Sequence, residues 1–354
     1  MTAGVLRERL LVSAAALGLG AVGLALVLLV LGQDPAAAFR ALWNGAFGSW
    51  YAMTSATLVR ATPLIVLGLG FSLALRAGAL NIGMEGQFLV GAIAATWAGL
   101  QFGQAAGPLA VPIVFAAALI AGALWVTIPV LLKVRFGVLE VISTLLLNFV
   151  AESLVSLMVQ GPLQEVKGVY PQSDLVPAAT RLPVLPGTRL HLGFVLAILL
   201  AFALHATYSR TAWGFRLKAV GASPQAAWIS GRIASARMFS VALLLSGALA
   251  GLGGGLEISG VTYALFQNLS PGYGFTAIAV ALLARGHPLG IILTGLLFGA
   301  LEAGAGAMQR EAGIPAVAVA IVQAAIIVVV LLADVVARRR AALEVLPEPE
   351  EQAA

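Results

Sequence analysis

Charge and cysteine are what this chain has least of. Of its 354 residues only 10% are charged and none is cysteine. Without thiols there are no disulfides, thiolate metal ligands or cysteine nucleophiles, and the redox compartment stays open. A soluble domain carries roughly 25% charged residues, so this inventory cannot furnish a water-facing surface. The marks of an enzyme are missing as well. A phosphate-binding loop needs Gly-Lys-Ser/Thr so that backbone amides and the lysine meet phosphates, and Gly247 to Gly255, GALAGLGGG, lacks the lysine. No nucleophile elbow of the G-x-S-x-G form occurs. The three histidines, His191, His205 and His287, have no metal-ligand spacing to a carboxylate, which suits loop or interfacial roles. No catalytic residue, metal or cofactor is expected. The net charge of +5 comes from basic residues scattered between apolar stretches. No basic face interleaved with aromatics is present, so no nucleic-acid partner is expected.

What is present is apolar: 60% of residues are hydrophobic and the mean hydropathy is +1.00. A bilayer core needs about 20 apolar residues per helix, and backbone polar groups inside it must be satisfied internally. The pattern predicts an all-α, polytopic transmembrane helical bundle of about ten spans in contact with membrane lipid. They lie near residues 10–31, 56–75, 82–101, 108–132, 140–160, 191–208, 238–258, 272–284, 288–306 and 314–336. The eighth is short enough to be broken or re-entrant. The first exceeds the 7–15-residue core of a cleaved signal and is expected to stay attached, although Ala36 to Ala38 mimics a cleavage site. Lys and Arg are retained on the cytoplasmic side. Placing both termini in the cytoplasm puts Arg7, Arg9, Arg76, Lys133, Arg135, Arg210, Arg216, Lys218, Arg232, Arg237 and Arg285 there as well.

Residues 1–340 therefore form a single transmembrane domain with two long loops. Residues 161–190, with five prolines, make an outer loop unsuited to regular helix. Residues 209–237 make the long inner loop. From Pro224 the segment PQAAWI suits a short helix with proline in its first turn. Residues 341–354 are acidic and proline-interrupted, the composition of a disordered tail.

Polar residues inside apolar segments are costly and point to a partner, a bundle interior or an aqueous path. Residues 78–87, GALNIGMEGQ, place Asn81, Glu85 and Gln87 among glycines. On a helix, Asn81 and Glu85 would share a face, while the glycines suggest a broken or tightly packed one. Residues 138–152, VLEVISTLLLNFVAE, put Glu140 at a helix start, where capping explains it. Thr144, Asn148 and Glu152 then recur every fourth residue as one stripe. For both clusters two roles stay open, lining a path or hydrogen-bonding neighbouring helices. Glu257 and Glu302 are weaker candidates. Phe275, after Gly272 and Gly274, is placed either to stack on a flat ligand or to anchor at the interface.

The motifs GALNIGMEGQFLVGA, LEVISTLLLNFVA, GFRLKAVGASPQAAWISGR with SGALAGLGGGLEISG, and GYGFTAIAVALLARGHPLG run in order from about residue 60 to 335. Together they resemble the permease subunits of bacterial ABC importers for simple sugars and nucleosides, and NIGMEGQ and EVISTL resemble the nucleoside type most. The resemblance implies a transport subunit of the bacterial cytoplasmic (inner) membrane that hydrolyses no ATP itself. It implies three partners: an ABC ATPase, possibly with two fused domains, a second related permease, and an extracytoplasmic solute-binding lipoprotein. It implies alternating access for a small polar solute, a nucleoside first and a simple sugar or branched-chain amino acid as alternatives. An ion-coupled secondary transporter is the competing class. The resemblance also makes Gly221, Ser223, Pro224, Ala226, Ala227 and Gly231 the elements that couple to the ATPase, with Ser223 standing where the family commonly has Asn.

Overall fold

The computed structural model describes residues 32–314 continuously, and isolated positions between 18 and 30 and at 317, 321 and 324. The expected spans 10–31 and 314–336, those positions apart, and the tail 341–354 lie outside the described residues. The chain groups into two compact units, residues 46–303 and residues 1–45 with 304–354.

Apolar runs, whose backbone groups must pair internally, form helices throughout the larger unit. Helix α1 spans Pro35–Phe47; α2 spans Trp50–Arg76 and contains a π turn over Met53–Thr57; α3 spans Met84–Phe102. Next come α4 (Ala110–Phe136), α5 (Glu140–Val159), α6 (Gly193–Arg210) and two short helices, α7 (Ala212–Ala222) and α8 (Pro224–Gly231). Helix α9 (Ser235–Glu257) runs into a π turn over Ile258–Thr262 and is followed by α10 (Tyr273–Leu283) and α11 (Pro288–Ala312). No β-strand occurs among the described residues, only two isolated bridges, Gln172 with Phe266 and Val184 with His191. Among the described residues, six helices are long and apolar enough to cross a membrane: α2, α4 with its preceding turn, α5, α6, α9 with its π turn, and α11. Helix α3 has the length, but Glu85, Gln87 and Gln101 dilute its apolarity. Helix α10, the segment expected to be broken, has only 11 residues. The sequence pattern did not foresee the amphipathic α1 or the separate α7.

Glycines set the packing. A Cβ on Gly247 would stand 2.6 Å from the Gly122 carbonyl oxygen, and one on Gly251 would meet the Ala118 carbonyl. One on Gly254 would meet the Phe88 carbonyl and, 2.7 Å away, the Ala92 amide. Backbone-to-backbone approach of α9 with α3 and α4 therefore fixes the centre of the unit, as small residues do between membrane helices. Helices α2 and α9 are mostly buried, whereas less than a third of α4, α5 and α6 is buried, and they present Ile120, Leu124, Leu146, Phe149, Leu199 and Phe202. This arrangement suits lipid around α4 to α6.

The proline-rich outer loop has no α-helix, only a single 3-10 turn over Ala178–Thr180. Both π turns hold it: Ser55 Oγ accepts from Arg189 N at 2.9 Å, and the His191 ring lies against Gly260. Burial pushes the His191 imidazole down to about 4. In the smaller unit, Asp34 Oδ1 accepts from Ala36 N at 2.8 Å at the start of α1. A Cβ on Gly304 would stand 2.6 Å from the Leu42 carbonyl, so backbone meets backbone there too.

Candidate functional site

Between α2 and α3 the chain leaves helix geometry over residues 77–83. Asn81 therefore precedes α3 instead of sharing a helical face with Glu85, because Gly78 takes a positive φ of 79° and Gly83 caps the new helix. Unwound backbone is tolerated at such depth only inside protein, and side chains take up its polar groups. Asn81 Nδ2 donates to Gln87 Oε1 at 2.8 Å and to Ser246 Oγ at 2.9 Å, while Gln87 Nε2 donates back to Asn81 Oδ1 at 2.9 Å. Gly83 N donates to the same Oδ1 at 3.2 Å. From α5, Asn148 Oδ1 accepts from Gly86 N at 2.8 Å and Asn148 Nδ2 donates to the Ile82 carbonyl at 3.0 Å. Thr144 turns its hydroxyl onto its own helix, donating to the Glu140 carbonyl at 2.7 Å, and lies against Gly83. Asn81, Gln87, Thr144 and Asn148 are all buried, and their hydrogen bonds close upon one another, Ser246 and the backbone.

Glu85 and Glu152 differ from this cluster. They share a cavity of about 370 Å³ with Ser156, Gln267, Asn268 and Ser270. Glu152 is exposed, whereas Glu85 is itself buried beneath the opening. The N-terminus of α10 meets Glu85: Gly274 N donates to Glu85 Oε2 at 2.6 Å, and the Ser270 hydroxyl reaches the carboxylate too. Aligned peptide dipoles favour an anion at such a helix start. Ser270 Oγ also accepts from Gly272 N at 3.1 Å and Tyr273 N at 3.0 Å, closing the turn that launches α10. Gln267 Nε2 donates to Ser156 Oγ at 2.6 Å, tying that turn to α5. Two discontinuous helices, α3 and α10, thus begin beside one another at a cavity with carboxylates, amides and hydroxyls. A neutral solute with several hydrogen-bonding groups could exchange its water for these contacts. Phe275 is half-exposed one residue past Gly274 and does not line the cavity.

Sequence reasoning missed Gln267, Asn268, Ser270 and Ser246. The polar turn QNLSPGYG between two apolar segments was the available sign of the first three; Ser246 is a lone serine in an apolar helix and gave none. The weaker candidates form a group of their own, in which Glu257 is buried and lies in the field of Arg60, Glu302 and Arg189. Glu140 stands in the first turn of α5 and forms an ion pair with Lys133 at 2.9 Å. His205 and His287, distant in sequence, bring their rings to 5.2 Å. Burial, His205 and Arg76 together lower the affinity of His287 for a proton. No group of three or more metal-ligating side chains occurs among the described residues.

In the inner loop, Ser223 ends α7 and caps α8, its Oγ accepting from Ala226 N at 3.2 Å, with Pro224 at the first turn. Ala227 is buried, Ala226 is exposed, and Trp228 and Ile229 are presented outward at the tip. Arg232, in the left-handed region, ends α8 just after Gly231.

The family model described as branched-chain amino acid transport system / permease component matches residues 53–331. A glucose ABC transporter permease protein of Haloferax volcanii is 38% identical over 323 residues, 88% of this chain and 83% of its own length. The guanosine ABC transporter permease protein NupP of Bacillus subtilis is 38% identical over 325 residues, 90% of this chain and 92% of its own. The nucleoside ABC transporter permease protein NupB of Lactococcus lactis is 32% identical over 314 residues, 85% of each chain. No solved structure matches. With the helical bundle and this coverage, the chain belongs to the branched-chain amino acid transport system / permease component family and is an ABC transporter permease.

Proposed function

We propose that the chain moves nucleosides inward across the bacterial cytoplasmic membrane by alternating access, with ATP hydrolysed by a separate ABC ATPase. The observation that carries this reading is the cavity at the start of α10, where Glu85, Glu152, Gln267, Asn268 and Ser270 offer hydrogen bonds without a dense ring of charge. Its volume of about 370 Å³ lies within the range of small-molecule pockets, about 300–1,000 Å³. Two relatives named for guanosine and nucleoside transport support the cargo. In this reading Glu85 and Glu152 line the path, with Phe275 at its edge. Asn81, Gln87, Thr144 and Asn148 hold the segment that presents Glu85. A simple sugar is the second reading, favoured by the glucose-named relative.

Residues 1–340 are read as one permease domain of about ten spans with both termini in the cytoplasm, and residues 341–354 as a disordered tail. This orientation places α7 and α8 on the cytoplasmic side, where Trp228 and Ile229 suit a groove on the ATPase. Ser223, Pro224, Ala226, Ala227 and Gly231 make that contact or shape it, and Gly221 couples it to the bundle from the end of α7. A second related permease and an extracytoplasmic solute-binding lipoprotein complete the transporter. The existence in Bacillus subtilis of a further guanosine permease relative, NupQ, 32% identical over 251 residues, supports a pair of unlike permeases.

The test is uptake of radiolabelled guanosine, adenosine and glucose into proteoliposomes holding the assembled transporter, with ATP inside or outside. ATP-dependent nucleoside uptake, unaffected by excess glucose, is expected. Uptake of glucose alone would favour the sugar reading, and uptake driven by an ion gradient without the ATPase would overturn the ABC mechanism.

A further inference from the structure

Helices α7 and α8 have to pass any movement they receive to the cavity, and one close contact is placed to do so. Helix α7 is seated on the bundle: Leu217 is fully buried with Leu73, Ala77, Tyr208 and Ala242, and Gly214 lies against the Thr207 and Tyr208 backbone. At its far end, Gly221 lies directly on the chain that leaves α2. A Cβ on Gly221 would collide with the Arg76 carbonyl oxygen and stand 3.1 Å from Gly78 N. The facing Cβ on Gly78 would stand 3.4 Å from Gly221 Cα. No side chain lies between these two backbones, so little can absorb a displacement.

From Gly78 the chain runs through the unwound segment to Glu85. Ala79 is buried in a core cluster with Ala74, Val126, Val130 and Leu243. Asn81 is tied to Gln87 and to Ser246 on α9, Gly86 is tied to Asn148 on α5, and Glu85 is tied to Gly274 on α10. The anchors outside the segment are thus Ser246 on α9, Asn148 on α5 and Gly274 at the start of α10, and α5 itself lines the cavity. Ala79 N still donates to the Ala74 carbonyl at 2.9 Å, closing α2, but Leu80 and Asn81 make no backbone-to-backbone hydrogen bond, so the segment can tilt about that end while the flanking helices stay intact. Coupling needs such a contiguous element with more than one arrangement.

We propose that the contact of Gly221 with the Arg76–Gly78 backbone is where movement of the coupling helices enters the membrane domain, and that residues 78–87 carry it to Glu85. Gly221, Gly78, Asn81 and Gln87 are then positioning residues for transport. The proposal rests on α8 being the element that meets the ATPase.

The test uses the assembled transporter in proteoliposomes, with ATPase co-purification, ATP hydrolysis and solute uptake measured on the same preparation. For Gly221→Ala the ATPase still co-purifies and hydrolysis continues, but molecules taken up per ATP fall at least tenfold. Stimulation of hydrolysis by the loaded binding protein is lost in parallel. Uptake per ATP equal to that of the unaltered chain would overturn the proposal. If Gly221→Ala does not accumulate, Gln87→Met leaves the Gly221 contact untouched and removes the anchor on Asn81. It is expected to lower uptake per ATP at least threefold, and an unchanged ratio again overturns the proposal. A third variant separates this from the reading beneath it. Replacing Ala226 and Ala227 with Asp abolishes ATPase co-purification if α8 is the contact; retained co-purification would sink that reading whatever Gly221→Ala does.

Discussion

Asn148 and Glu152 stand one helical turn apart on α5, with a carboxamide on one and a carboxylate on the other, yet they end in opposite circumstances. Asn148 is buried and satisfies a backbone donor and a backbone acceptor of the segment beside it. Glu152 is exposed and faces a cavity. Gln87 and Glu85, two residues apart on α3, are both buried, yet Gln87 closes on Asn81 whereas Glu85 borders the cavity. What separates the members of each pair is the unwound backbone over 77–83, which needs side-chain partners at one level of the bundle. One turn further along, at Glu152, that need is met. A polar residue on an apolar helix therefore carries no single meaning; its level relative to broken helices decides whether it closes a structure or lines a cavity.

The sharpest way to break this comparison is Asn148→Leu. It leaves Gly86 N–H and the Ile82 carbonyl unsatisfied, each costing about 1–3 kcal/mol when buried. Loss of folded protein, or a large fall in its melting temperature in detergent, is expected. A variant that melts normally but transports poorly would group Asn148 with the cavity-lining residues instead.

A smaller effect is expected from His191, another buried polar residue outside the path. Its imidazole takes up a proton only near pH 4 when folded, against about 6.5 in an unfolded chain. The unfolded state binds more protons between those values, so stability is full above about pH 6.5 and falls as pH drops toward 4. At pH 5 the loss is about 2 kcal/mol. Melting measured from pH 7.5 to 5 should show the decline, and His191→Gln should flatten it. A melting temperature equally steep in that variant would assign the decline to other groups.

Glu152→Gln, by contrast, should leave melting untouched and change uptake about tenfold, mainly in the solute concentration for half-maximal rate. Unchanged uptake would remove Glu152 from the path.

Much of the fold was legible because membrane helices declare themselves by apolar length. The expected spans 140–160 and 191–208 meet α5 and α6 within two residues at each end. The separation of Asn81 from Glu85 was not legible: spacing on a helix assumes the helix, and the positive φ at Gly78 ends that assumption. Nor was the approach of Gln267, Asn268 and Ser270 to Glu85, since it joins residues far apart in sequence across the start of α10. The ion pair of Lys133 with Glu140 was hidden differently, because a carboxylate at a helix start has a sufficient local explanation without one.

The most direct test of the split uses the absence of native cysteine, which leaves any introduced thiol as the sole target on this chain, read from its own band. Glu152→Cys and Asn148→Cys, each in the assembled transporter, are treated with a membrane-impermeant thiol reagent with and without guanosine. The account predicts rapid labelling of the first, slowed by guanosine, and no labelling of the second in folded protein. Equal labelling at both positions, or protection by guanosine at 148 alone, would contradict it.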